Sequence, residues 1–91
     1  MEELSNVPYR LDWIDRETLA YRSAGLTALV WVDFEPGLLS KGRVIHEESV
    51  RDWLGPDWQP VRPVTSVERH AIVAAVEQHY EQEGRPCTVQ P

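Results

Sequence analysis

Few residues in this chain of 91 have chemistry to offer: three His, one Cys and four Trp stand out. His46, Glu47 and Glu48, with Asp52 close behind, form the most enzyme-like group, because a His beside carboxylates can act as a general base or a metal ligand. In an extended segment neighbours point to opposite faces, so His46 and Glu48 share a side and Glu47 does not. A small hydrolase using His46 and Glu48 is therefore the minor reading, and a solvated strand edge the plainer one. His70 and His79 on a helix point to opposite sides and make no zinc pair. His70 and Glu77 share a face but stand roughly 10 Å apart along the axis, too far to hold one ion. The motifs CxxC, HExxH and GxSxG and a Gly-rich phosphate loop are all absent from the sequence. Cys87 has Arg85 as its one nearby cation in sequence and no neighbouring His, and reads as a small apolar filler rather than a nucleophile. The expectation is a protein without catalytic residues, cofactor or metal.

What remains is Trp13, Trp31, Trp53 and Trp58 among acidic neighbours. Aromatic anchors ringed by carboxylates are what protein interfaces use: Trp supplies buried hot spots, and charge supplies steering and specificity. A small domain also uses Trp as its largest core filler. Trp13 and Trp53 are assigned to the core on that ground, while Trp31 and Trp58 suit core and surface equally. The partner-binding candidates are Trp31, Asp33 and Glu35 on one strand face, with Glu47, Glu48, Asp57 and Trp58 on a strand-loop edge. Glu77 and Glu81, four apart on a helix with no cation between them, form either a solvated face or part of an acidic patch.

These side chains need elements to hold them. Tyr9, Leu11 and Trp13 alternate with Arg10 and Asp12, and Thr18 to Ser23 follows as a second short run, so two half-buried strands are expected. Ala24-Gly25 is a tight hairpin connection. Leu26 to Glu35 is the strongest strand, with Leu26, Ala28, Val30, Val32 and Phe34 on a core face and Thr27, Leu29, Trp31, Asp33 and Glu35 on a partly covered one. Pro36-Gly37 breaks the run, and Lys41-Gly42 leads to a fourth strand around Arg43 to Glu47. Ser49-Val50-Arg51-Asp52, followed by Trp53 and Leu54, predicts a helical turn ending at Gly55-Pro56. The segment from Gly55 to Pro63 reads as a proline-rich loop. Thr65-Ser66-Val67-Glu68 is a capping box opening a helix whose stripe is Ile72, Val73, Val76 and Tyr80; Gly84 and Pro86 end it, and Cys87 to Gln90 can add a last strand. The predicted fold is an α+β two-layer sandwich: a four- to five-stranded, mainly antiparallel sheet packed on one long C-terminal helix. It is one domain over residues 1–91, with 1–8 as a flexible N-terminus.

Composition narrows the role. Nine Lys and Arg against 15 Asp and Glu leave a net charge of −6, which gives no support to binding nucleic acid or an anionic membrane and makes a basic protein the natural partner. Between Asp33 and Asp57 six acids face three bases beside three of the tryptophans. A single Cys allows no intrachain disulfide, the first residues carry no basic flank or apolar run, and no stretch of eighteen apolar residues occurs. A soluble, reduced, cytoplasmic protein is expected.

From Arg43 onward the order is distinctive: a strand, Ser49-Val50-Arg51-Asp52-Trp53, a proline-rich loop, Pro63 to Val73 opening an amphipathic helix, then Gly84-Arg85-Pro86-Cys87-Thr88-Val89. This order resembles small bacterial immunity-type proteins of polymorphic toxin systems over roughly residues 43–90. The resemblance implies an α+β domain that binds and blocks a cognate toxin without catalytic residues, and it names no contact residue. The alternative is a structural or regulatory module that forms a homodimer through its uncovered sheet face or a sheet edge.

Overall fold

The computed structural model describes residues 8–34 and 42–91. The elements are β1 (Arg10–Trp13), β2 (Thr18–Ser23), β3 (Leu26–Phe34), β4 (Arg43–His46), a 3-10 turn (Glu47–Ser49), β5 (Asp52–Leu54), β6 (Pro60–Pro63), α1 (Ser66–Gln82) and β7 (Cys87–Gln90). They form the expected α+β architecture, a mainly antiparallel sheet with a helix packed on it, and among the described residues the sheet has seven strands. Five run in the order β1-β2-β3-β4-β7, and β5 and β6 branch from β3 beside β4. All pairs are antiparallel except β4 with β7, which the helix connection makes parallel. Glu35, the break at Pro36-Gly37, Lys41 and the N-terminal stretch before Pro8 lie outside the described residues.

β2 and β3 form the hairpin that the sequence marks. Ser23 faces Leu26 across Ala24 and Gly25, both with positive φ (52° and 79°), so the turn twists the way the flanking strands do. Ala28, Val30 and Val32 of β3 point into the core with Leu19 and Tyr21 of β2, Ile45 of β4 and Trp53 of β5. Ile72, Val73, Val76 and Tyr80 of α1 close it from the other side, so the helix stripe lies where its spacing places it.

The expected helical turn over Ser49–Leu54 is absent. The turn lies earlier, at Glu47–Ser49, and Asp52–Leu54 is strand β5. The register explains the difference. His46 opposes Trp31 and Trp53 opposes Ala28, so a seven-residue step on one chain faces a three-residue step on β3. β4 and β5 are thus one long strand with four residues looped out, and the 3-10 turn takes up the slack. Ser49 plugs the gap: its hydroxyl accepts from the Trp31 amide at 2.8 Å and donates to the His46 carbonyl at 2.6 Å. A sheet partner therefore overrides the weak helical spacing, because pairing satisfies backbone groups that one isolated turn leaves open. The loop reading of Gly55–Pro63 is corrected in the same way, since Pro60–Pro63 pairs with β5 as β6. Its prolines fit an edge strand, where one side of the backbone needs no partner.

The helix is fastened at both ends. Thr65 Oγ1 accepts from the Glu68 amide at 3.1 Å and Glu68 Oε1 accepts from the Thr65 amide at 3.0 Å, completing the capping box. At the other end Gly84, at φ 73°, donates to the Glu81 carbonyl and Arg85 donates to that of Tyr80, which is a Schellman stop. Glu68 does more than cap. It accepts two 2.8 Å bonds from Arg62 of β6 and one of 3.1 Å from the Trp53 indole, and the Arg62 guanidinium lies 5.8 Å from the Trp53 ring. The Arg62 bonds above all, then the Thr65 amide and the Trp53 indole, outweigh burial and hold the Glu68 carboxyl at about 2, below its ordinary 4.5.

A carboxyl lowered on folding contributes stability that is complete above its unfolded pKa and is lost as pH falls through its folded one. Wild-type stability should accordingly fall between about pH 5 and about pH 2. Glu68→Gln should lose about 1–2 kcal/mol in chemical denaturation at neutral pH and show a flatter decline over that acid range.

Candidate functional site: the open face of the sheet

One face of the sheet carries α1. The opposite face carries Ala20, Thr27, Leu29, Trp31, Asp33, Val44, His46 and Leu54 by strand alternation and register. No element covers it among the described residues, and its large apolar groups are accordingly half-buried or exposed. Trp31 is 43% exposed and stacks flat on His46, its cross-strand neighbour, with ring centroids 3.8 Å apart and planes 15° apart. Trp58 is 48% exposed and reaches the same face, where its ring takes the Arg22 guanidinium at 5.6 Å. Arg22 is held in turn by Asp12 at 2.9 Å and by Thr27 at 3.3 Å. Between the two tryptophans lie Leu29 and Leu54, which line a shallow depression of about 150 Å³ with Ser49, Arg51 and Asp52.

Trp58 is held out by its backbone. Its φ is +65°, a left-handed conformation that costs a bulky residue roughly 1–2 kcal/mol. The loop supports it: the Trp58 amide donates to the Gly55 carbonyl and the Gly55 amide to that of Gln59, each at 2.9 Å. The Asp57 carboxylate caps the same loop, accepting from the Gln59 amide at 3.1 Å.

The other candidates divide. Asp33 is half-buried on the open face, opposite Val44. Glu48 is exposed and lines a groove of about 460 Å³ with Trp31, His46, Arg51 and the C-terminal Gln90 and Pro91. Glu47 turns toward the helix layer, 3.3 Å from His70 Nε2. Glu35 is outside the described residues. His46 and Glu48 do line one groove, yet no hydrogen bond joins them: His46 Nε2 is buried without a hydrogen-bond partner, its ring under Trp31. Burial first, then the charges of Glu77 and Glu81, pushes the Cys87 thiol up, which disfavours the nucleophilic thiolate. Among the described residues no His, Cys, Asp or Glu side chains group into a set able to hold a metal ion.

The tryptophan assignment needs one correction. Trp53 is core at 2% exposure, but Trp13 is 47% exposed, because it lies on β1, an edge strand with a sheet neighbour on one side only. Sequence reasoning also missed the roles of His46, Arg22 and Ser49. Each depends on a cross-strand register, and the four-residue excursion between β4 and β5 hides that register from any pattern along the chain.

Set against known proteins, the chain matches no family model, and neither a curated protein nor a solved structure matches it. Among the described residues no helix is long and apolar enough to cross a membrane.

The contrast between two nearby tryptophans is measurable by chemical denaturation. Trp53→Ala should cost about 3–5 kcal/mol, a large share of the stability of a domain of this size. Trp58→Asn should stay within about 1 kcal/mol of wild type, since Asn tolerates the left-handed backbone and relieves the strain on it.

Proposed function

We propose that this chain is a non-enzymatic protein-binding domain of the immunity type, which occludes a basic toxin with the open face of its sheet. The observation that supports this reading is the pair Trp31 and Trp58, both about half exposed on one sheet face with Leu29 and Leu54 between them. Large apolar groups gathered on an uncovered face favour burial by a partner, and Trp is the residue most enriched among interface hot spots. Charge supports the basic character of that partner. The chain carries −6, and Asp33 and Glu48 lie beside Trp31, where they can steer an Arg- or Lys-rich surface into register. The mechanism is occlusion: the tryptophans anchor, the carboxylates steer, and the toxin surface beneath them is withheld from its substrate.

The reading is tested by co-expressing the chain with the product of the adjacent reading frame. Growth inhibition by that product should be relieved by wild type, and the purified pair should form a complex. Trp31→Ala with Trp58→Ala should weaken it at least about 30-fold, mainly through faster dissociation, while circular dichroism stays native. Asp33→Asn with Glu48→Gln should instead slow association and reduce its salt dependence. Unchanged affinity in the folded tryptophan variant would refute the assignment. So would a wild-type dimer in light scattering that becomes monomeric in that variant, since the face would then be buried by a second copy.

A further inference from the structure

The helix-bearing side of the sheet has an opening of its own. Where α1 ends, a groove of about 530 Å³ runs between Trp13 of β1, the turn after it, Arg43 at the start of β4 and the helix terminus. That volume lies in the range of small-molecule sites. One wall is aromatic: the exposed Trp13 ring stands 6.5 Å from that of Tyr80, tilted by 58°. Tyr80 itself is 2% exposed, and its hydroxyl is buried without a hydrogen-bond partner. Arg43 lies over the ring at 5.9 Å and its charge partly offsets the effect of burial, which still pushes the phenol up to about 12. The phenol is thus protonated, with the Arg43 side chain against it.

The rim is cationic in a chain that is strongly acidic overall. Arg16, Arg43 and Arg85 face two acids, Asp15 and Glu83, and both acids are engaged. Asp15 accepts from the Glu17 amide at 2.9 Å, closing its own turn. Glu83 lies 3.5 Å from His79 and 3.6 Å from Arg85. Arg16 makes no ion pair among the described residues. In the last turn of α1 the Gly84 and Arg85 amides bond the carbonyls of Glu81 and Tyr80, which leaves fewer open acceptors at the helix end.

We propose that this groove binds a small planar aromatic carboxylate, its ring against Trp13 and its carboxylate toward Arg16 and Arg85. Arginine forks match carboxylates in geometry, and an aromatic wall favours a flat ring over an aliphatic acid. This site is separate from the open face and does not depend on the partner proposed for it.

The test titrates 2-naphthoate and its neutral isostere 2-naphthamide into ¹⁵N-labelled protein. Naphthoate should shift the Trp13 indole and the Arg16 and Arg85 amides with saturation, and naphthamide should bind at least about tenfold more weakly. Arg16→Gln with Arg85→Gln, both at exposed positions, should weaken naphthoate about tenfold and leave naphthamide unchanged. Equal binding of the two compounds, or shifts centred on Trp31 and Trp58 instead, would overturn the proposal.

Discussion

The Ser49 hydroxyl bridges the Trp31 amide and the His46 carbonyl at the one place where the ladder along β3 is interrupted. β3 has β2 along one edge, while its other edge is shared by β4 and β5, which are out of register with each other by four residues. Without a donor and acceptor at the break, two backbone groups in the middle of a sheet would lack partners. With Ser49 there, the chain can leave the sheet for one 3-10 turn and return. Everything downstream depends on that return. It sets Trp53 against Ala28 in the core, brings Arg62 of β6 alongside, and so positions the two side chains that donate to Glu68 at the helix start.

A two-layer fold with one helix has two unlike faces, and the alternation of β3 serves both. Ala28, Val30 and Val32 fill the core while Leu29, Trp31 and Asp33 look outward. Two tryptophans on the outer face are fixed by different means. Trp31 is held by a flat stack on His46, which limits its side-chain freedom before any partner arrives. Trp58 is held by a left-handed backbone in a loop tied by its own amides. Ordering both indoles in the unbound protein lowers the entropy that association must overcome.

The acidic charge of the chain is less uniform than its total suggests. Glu68, Glu47, Asp57 and Asp15 are engaged by partners within the fold, the first three by Arg62, His70 and the Gln59 amide. The arginines are unevenly placed too, with Arg16, Arg43 and Arg85 gathered at the end of the helix far from Arg62 at its beginning. Net charge therefore argues for the sign of a long-range field, while the sites themselves are decided by which charges the fold leaves facing outward.

Much of the architecture can be read along the chain. Period-two alternation marks β2 and β3, a capping box and a Gly stop bound α1, and its stripe of Ile72, Val73, Val76 and Tyr80 requires a sheet to cover. These are local signals: each depends on residues within a few positions of one another. β5 and β6 are not legible in that way. Their three and four residues carry no alternation long enough to detect, and helical spacing in Val50, Trp53 and Leu54 arises by chance in a strand that follows a turn. The exposure of Trp13, the stack of Trp31 on His46 and the burial of the Tyr80 hydroxyl likewise come from tertiary structure. They are set by which strand lies at an edge and which residue faces which across a pair. Sequence by itself determined β2, β3 and α1 and the side of each that is apolar; only the folded sheet, with its four-residue offset, decided which tryptophans meet the solvent and what stands beside them.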